Sequence, residues 1–378
     1  MSSLGIYLHI PYCLHKCGYC DFNSHPENTE EAQTYISALL LEIDHYAHRF
    51  SERTFSTVFF GGGTPTILPP ESLDNILGRV KNLFNLSSGC EITIEANPAT
   101  IKQETLTQIR SAGFNRISIG VQSFDADELK FLERVHNEKE IYTTIDRARL
   151  AGFDNLSIDL MFGLPNQSPK KWRSHLRQAV AKAPNHISAY SLTIEPATSF
   201  FKLQERGRLH LPAEDIQLEM FQETIETLQS AGYEQYEISN YAQPGFKSRH
   251  NLNYWDNGEY LGLGAGASSY INGERYKNIN LPARYIREVQ SKGSAVESTE
   301  KLDLLHAMGE TIMLGLRCIK GIAIEDFENR FQVSFKTVYG KVIDPLLKEE
   351  LITFNNNRMA LSRKGLYIAD SVILKFLA

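Results

Sequence analysis

The chain has 378 residues, 42% hydrophobic and 22% charged, with 39 Lys and Arg against 45 Asp and Glu for a formal net charge of −6. That length predicts one large domain plus a smaller one, with a sizeable buried core. The mild acidity argues against a non-specific nucleic-acid binder, whose affinity rests on neutralising phosphates.

The N-terminal stretch MSSLGIYLHIPYC lacks a basic region followed by a long apolar run, so no signal peptide is expected. The first apolar run, GIYLHIP, is followed by a helical pattern over Glu30 to Phe50. The sequence then alternates: STVFFGGG, a helix over Pro70 to Phe84, EITIEANP, RISIGVQSF, a helix over Glu138 to Ala151, NLSIDLMFGLP and HISAYSLTIEP. These short runs, mostly rich in β-branched residues, read as strands buried in a parallel sheet, and their alternation with helices indicates βα units. Gly113, Gly152 and Gly232 each follow a helical stretch and precede an aromatic and a strand, as C′ glycines in the left-handed conformation do. Six units are fewer than the eight of a closed barrel. No apolar run of about 18 residues occurs, so no membrane-spanning helix is expected.

Beyond about Glu297 the pattern turns helical and then gives ITFNNNRMALSRKGL, a short hairpin with a polar turn. The fold class is therefore α/β: a partial (β/α)6 barrel of TIM type with a smaller, mostly helical, winged-helix-like C-terminal domain. The expected divisions are 1–240 for the barrel, 241–296 for an extension with a Gly-rich loop, and 297–378 for the C-terminal domain. No dense Lys/Arg face accompanies the winged-helix pattern, which favours a cap on the barrel over DNA reading.

Two stretches carry chemistry. Cys13, Cys17 and Cys20 follow the first strand in a CxxxCxxC spacing that suits a 4Fe–4S cluster held by three thiolates, with one iron open to a small molecule. Zinc is the rival and would need a fourth ligand, such as His9, His15 or His25. Five cysteines, three of them clustered, fit a reducing compartment with a cofactor site better than a disulfide framework, and Cys90 and Cys318 read as buried, inert thiols. The second stretch, RHNLNYW, puts His250, Tyr254 and Trp255 within one short segment. A neutral imidazole is a common heme ligand and flat aromatics suit a macrocycle; a capping histidine beside two core aromatics is the plainer reading.

CxxxCxxC after a first strand, followed by GGGTP after a second, resembles the radical S-adenosylmethionine superfamily, in which the amine and carboxylate of S-adenosylmethionine chelate the open iron. YLHIPYC, GGGTPT, EANP, GVQSF, IDLMFGLP and LGLGAGASSY further resemble, in order, the oxygen-independent coproporphyrinogen III oxidase group. That resemblance implies that Cys13, Cys17 and Cys20 hold the cluster and that Tyr7 lines the site. It also implies that the backbone at Tyr19 contacts adenine and that Gly62, Gly63 and Thr64 approach the methionine end. Glu95, Gln122, Arg134, Asp159 and Thr193 match positions binding S-adenosylmethionine, of which the oxidase holds two molecules. The chemistry agrees. Glu95, Gln122 and Asp159 fall at strand C-terminal ends, where barrel sites are built. Gly61 to Gly63 would permit close approach by a ligand, and Arg134 could fork onto a carboxylate.

HNxxYW, complete here as His250, Asn251, Tyr254 and Trp255, resembles the heme-chaperone branch of that group. Phe22 stands where the oxidases carry one more cysteine. Membership in that branch implies His250 as a heme ligand and heme delivery to membrane respiratory proteins. It also implies a cytoplasmic chain working peripherally at the membrane, a cluster serving structure, dimerisation or redox sensing, a homodimer among its assemblies, and no nucleic-acid partner. The alternative is the oxidase itself, which decarboxylates coproporphyrinogen III propionates; a third reading is a radical enzyme with another substrate.

Overall fold

In the computed structural model, which describes residues 4–377, six strands run parallel in chain order. They are β1 (Leu4–Ile10), β2 (Thr54–Gly62), β3 (Asn85–Ala96), β4 (Arg116–Gln122), β5 (Leu156–Phe162) and β6 (His186–Ser191). Their side chains alternate. On β1, Leu4, Ile6, Leu8 and Ile10 are buried in the apolar core shared with the surrounding helices, while Gly5, Tyr7 and His9 face the barrel interior. The same period of two turns Thr57 and Phe59 of β2, Ser118 of β4, and Ser157 and Asp159 of β5 inward.

Helices cover the outside, among them α1 (Thr29–Ala47), α2 (Pro70–Leu83), α3 (Gln103–Ala112), α4 (Glu138–Leu150) and α5 (Pro169–Ala181). Their starts follow from capping chemistry. Asn28 and Ser168 accept from backbone N–H groups of the first turn, and Asn137 with Glu140 forms a full capping box. Gly113, Gly152 and Gly232 all lie at positive φ, as their positions after helices predict.

The sheet does not stop at six strands. A short antiparallel strand (β7, Asn240–Ala242) pairs with β6 at one edge. At the other edge the chain returns to lay β8 (Tyr260–Leu263) parallel to β1, followed by antiparallel β9 (Ser268–Ile271), β10 (Glu274–Asn278) and β11 (Val296–Lys301). The sheet thus runs through Lys301, into the segment expected to open the C-terminal domain, and the helices resume only at Leu304. From there α-helices at Leu304–Gly315, Ile324–Phe331 and Phe335–Lys348 precede the hairpin Ile352–Asn355/Arg358–Leu361, whose turn residues Asn356 and Asn357 take positive φ. This domain has its own core around Ile312, Phe327, Phe335 and Tyr339.

The returning segment is locked to α1 by Glu42. Its buried carboxylate accepts from the Tyr285 hydroxyl (2.7 Å), the Gly264 amide (2.7 Å) and the Asn278 side chain (2.8 Å). Burial pushes this carboxyl up from 4.5 to about 7. A raised folded-state value means the favourable contribution is complete below about pH 4.5 and is lost as pH rises to about 7. The predicted result is a fall in unfolding free energy on the order of 3 kcal/mol across that window, flattened in Glu42→Gln. Denaturant titrations at the two ends of the window check it, and an equal slope in both proteins would refute the assignment.

Candidate functional site

The C-terminal ends of the six strands open into a cavity of about 1080 Å3, slightly above the usual range for small-molecule sites. The segment after β1 crosses its mouth. This loop is held by main-chain bonds from His25 to Pro11 (2.7 Å) and from Glu27 to Cys13 (3.0 Å). Asn23 ties it to the segment that returns beside β1, donating to the carbonyls of Ala265 (3.0 Å) and Asn280 (2.9 Å). Gly266 is what lets Asn23 in: a Cβ there would stand 2.4 Å from the Asn23 amide nitrogen.

Cys13, Cys17 and Cys20 are free thiols, partly exposed, and all line the cavity. Cys13 Sγ lies 3.5 Å from the Thr64 hydroxyl, and Cys17 Sγ lies 3.9 Å from Arg134 Nη1. Among the described residues no group of three or more His, Cys, Asp or Glu is placed to hold a single metal ion. The three histidines that could have completed a zinc site are engaged elsewhere. His15 meets Glu133 at 2.9 Å, His25 meets the Asn23 side chain at 3.2 Å, and His9 donates from Nε2 to the Asn23 carbonyl at 2.8 Å. Three thiols at one cavity mouth, without a fourth protein ligand, suit a cubane that presents a separate iron to each thiolate.

The wall behind the thiols is polar and half-buried. Gly62 N–H donates to Glu95 (3.3 Å), and the Ser118 hydroxyl to Asp159 (3.2 Å). Burial, with Asp159 nearby, pushes the Glu95 carboxyl up to about 8, and burial raises Asp159 too. The pair is suited to accept hydrogen bonds from hydroxyl or ammonium groups. Gln122 sits at φ +65, where β4 slips register against β5, and accepts from the Tyr190 hydroxyl at 2.7 Å. A non-glycine residue held there at a strand end marks a site that its surroundings over-determine. Arg134 is half-buried after a short helix, donates from Nη2 to the Gly120 carbonyl (2.8 Å), and leaves Nε without a partner.

Residues 7–179 match the family described as the Radical SAM superfamily, and residues 302–368 the HemN C-terminal domain. The chain is 37% identical to the heme chaperone HemW of Bacillus subtilis, covering 98% of each. It is 33% identical to a mitochondrial radical S-adenosyl methionine domain-containing protein 1 of Danio rerio, covering 98% of this chain and 86% of that one. The solved structure of coproporphyrinogen III oxidase (HemN) from Escherichia coli, described as a radical SAM enzyme, superposes with a TM-score of 0.86. It is 26% identical and covers 99% of this chain and 90% of that one. The chain belongs to the HemW family of the radical SAM superfamily. The sequence resemblance thus led to the right branch, and the barrel with its helical C-terminal domain is the fold it implied.

The structure brings most of the sequence-selected residues of this HemW-family chain to one place. Cys13, Cys17, Cys20, Tyr19, Gly62, Gly63, Thr64, Glu95, Gln122, Arg134, Asp159 and Thr193 all line the cavity. Tyr7 and His250 do not. Tyr7 lies deeper, stacked on Phe59 at 6.2 Å, and donates to His9 Nδ1 at 3.0 Å. His250 is 1% exposed inside the barrel, packed on Phe59 at 5.0 Å. Its Nδ1 meets the Thr57 hydroxyl and its Nε2 the Tyr254 hydroxyl, both at 2.8 Å. Burial lowers its basicity to about 3, so it stands neutral with both nitrogens engaged. HNxxYW forms the short helix Arg249–Trp255, whose first amides donate to Glu91 on β3.

The glycines need a different reason from the one the sequence suggests. A Cβ on Gly63 would stand 2.5 Å from the Tyr12 carbonyl oxygen, and one on Gly62 2.5 Å from the His9 ring. Their smallness serves the crossing of the cysteine loop over β2. Sequence reading passed over Ser118 and Tyr190 and weighed His9 only as a zinc ligand; the alternation of GIYLHIP, RISIGVQ and HISAYS already turns these positions inward. Cys90 and Cys318 are buried, with burial pushing their thiols up to about 11 and about 12.

Proposed function

We propose that this chain is a heme chaperone that carries a 4Fe–4S cluster and S-adenosylmethionine and hands heme to membrane respiratory proteins. The observation that carries this reading is the relationship over nearly the whole chain to proteins named heme chaperones, at 35–37% identity in Bacillus, Lactococcus and Haemophilus. The intact HNxxYW helix and Phe22 in place of a further thiol support it.

Cys13, Cys17 and Cys20 would hold the cluster, which supplies an open iron for S-adenosylmethionine. The backbone at Tyr19 would meet the adenine, and Gly62, Gly63 and Thr64 the methionine end. Arg134 Nε is a free donor for a carboxylate, and Glu95 and Asp159 are acceptors for ammonium or hydroxyl groups. Gln122 and Thr193 complete that wall, Tyr7 backs it, and His250 is the candidate axial ligand for heme. No helix among the described residues is long and apolar enough to cross a membrane. On this reading the chain is cytoplasmic and meets the membrane peripherally, as a homodimer or alone.

The oxidase is the second reading, favoured by the shared architecture with HemN; fold alone does not carry activity. The expected result is that the cluster-reconstituted chain gains a Soret band on heme addition. It should also make no protoporphyrinogen IX from coproporphyrinogen III under anaerobic, reducing conditions with S-adenosylmethionine. Clear turnover in that assay would replace the chaperone reading with the oxidase.

A further inference from the structure

The inner end of the cavity, away from the thiols, is lined by Arg317, Asn240 and Asn251, where the barrel meets the C-terminal domain. Main-chain bonds fix this junction: Ile238 N–H to the Arg317 carbonyl (3.1 Å) and Ile319 N–H to the Tyr236 carbonyl (3.0 Å). Arg317 lies over the Trp255 ring, its guanidinium carbon 4.7 Å from the centroid, so its position is set from behind. Yet Arg317 Nε has no partner; only its Nη2 is paired, with Glu237 Oε2 in an ion pair at 3.8 Å that is too long for a hydrogen bond. Asn240, 8% exposed, has an unpartnered side-chain oxygen at the same wall. Two buried polar atoms without partners side by side are costly. Arg317 and Asn240 both line the cavity, and their pairing on one wall is the mark of a place built for a polar ligand group.

We propose that Arg317 and Asn240 form a carboxylate-binding subsite at the inner end of the cavity. A carboxylate accepts from the planar fork of Arg317, and the water such a group holds donates to Asn240. Glu237 and Trp255 position the guanidinium without touching the ligand. Two ligands carry this chemistry: heme through its propionates and a second S-adenosylmethionine, distinct from the one whose carboxylate chelates the cluster, through its amino-acid carboxylate. The propionate assignment rests on the heme-binding reading; the subsite itself does not.

The test compares the cluster-reconstituted full chain with Arg317→Gln and Arg317→Lys. Heme and its dimethyl ester are titrated by absorbance, and S-adenosylmethionine by calorimetry. For a propionate, the parent prefers heme over the ester by about tenfold or more, Gln removes that preference and Lys retains part of it. For S-adenosylmethionine, Gln weakens that ligand by a similar factor and leaves the heme-to-ester ratio unchanged. Should Arg317→Gln disturb folding, as thermal unfolding would report, Asn240→Ala and Trp255→Phe are read in the same way. If neither the ratio nor the S-adenosylmethionine affinity moves in any folded variant, the subsite is refuted. A parent that binds no heme refutes the chaperone reading, and the S-adenosylmethionine arm then decides the subsite alone.

Discussion

Replacing any one of Cys13, Cys17 and Cys20 with alanine is expected to take the reconstituted chain from about four irons to nearly none. Each thiolate is proposed to hold its own iron, so no pair of thiols can retain the cubane. The fold is expected to survive. The loop is tied down by the His25 and Glu27 amides and by the Asn23 side chain, none of which uses sulfur. Behind it, Leu4, Ile6, Leu8 and Ile10 stay in the core whether or not the loop is loaded. Circular dichroism and the thermal midpoint of the metal-free forms should therefore match the parent, while iron, sulfide and S-adenosylmethionine binding fall together. Cys90→Ala and Cys318→Ala serve as controls with full iron content, because both thiols are buried away from the cavity. A full iron complement in any single variant of the trio would falsify the three-thiolate assignment.

What the sequence made legible follows from the range of the interactions. The alternation of short apolar runs with helices is local, and it returned six parallel strands in order. The C′ glycines are local too: Gly113, Gly152 and Gly232 each end a helix at positive φ. Motif residues near strand ends collect in one cavity because a parallel barrel gathers its strand C-termini by construction. Contacts made across the fold were not legible. Nothing near Gly63 tells that the Tyr12 backbone crosses it, and nothing in VESTEK tells that β11 closes the edge of the main sheet, since all six residues are exposed. Arg317 reads as one more helix-end arginine until Trp255 and Glu237 are seen around it. RHNLNYW is the sharpest case. Resemblance supplied a heme ligand, whereas long-range packing put the ring on Thr57 and Phe59, far earlier in the chain.

That packing makes a specific demand on the proposed role of His250. Iron can coordinate Nε2 only after the Tyr254 hydroxyl leaves it, so the competent state is a minority conformer in the free protein, and apparent affinity is reduced by its population. Tyr254→Phe removes the competing hydrogen bond, worth about 1 kcal/mol, and keeps the ring that packs edge-on against the imidazole at 4.8 Å. The predicted outcome is heme binding tightened by roughly fivefold. His250→Ala should lose the imidazole signature in the Soret region altogether. It also leaves the Thr57 and Tyr254 hydroxyls facing a cavity, at a cost of about 2–4 kcal/mol, so lost binding alone could reflect lost fold. The double variant separates the two. If His250 is the ligand, Tyr254→Phe has no effect on heme affinity once His250 is alanine, because the benefit acts through the imidazole. If Tyr254→Phe strengthens binding equally with and without His250, or changes nothing in the parent, the imidazole is a structural plug of the barrel floor and heme iron finds its ligand elsewhere. Amide exchange across Arg249–Trp255 gives an independent reading: ligation requires this helix to loosen on heme addition, whereas a plug stays protected.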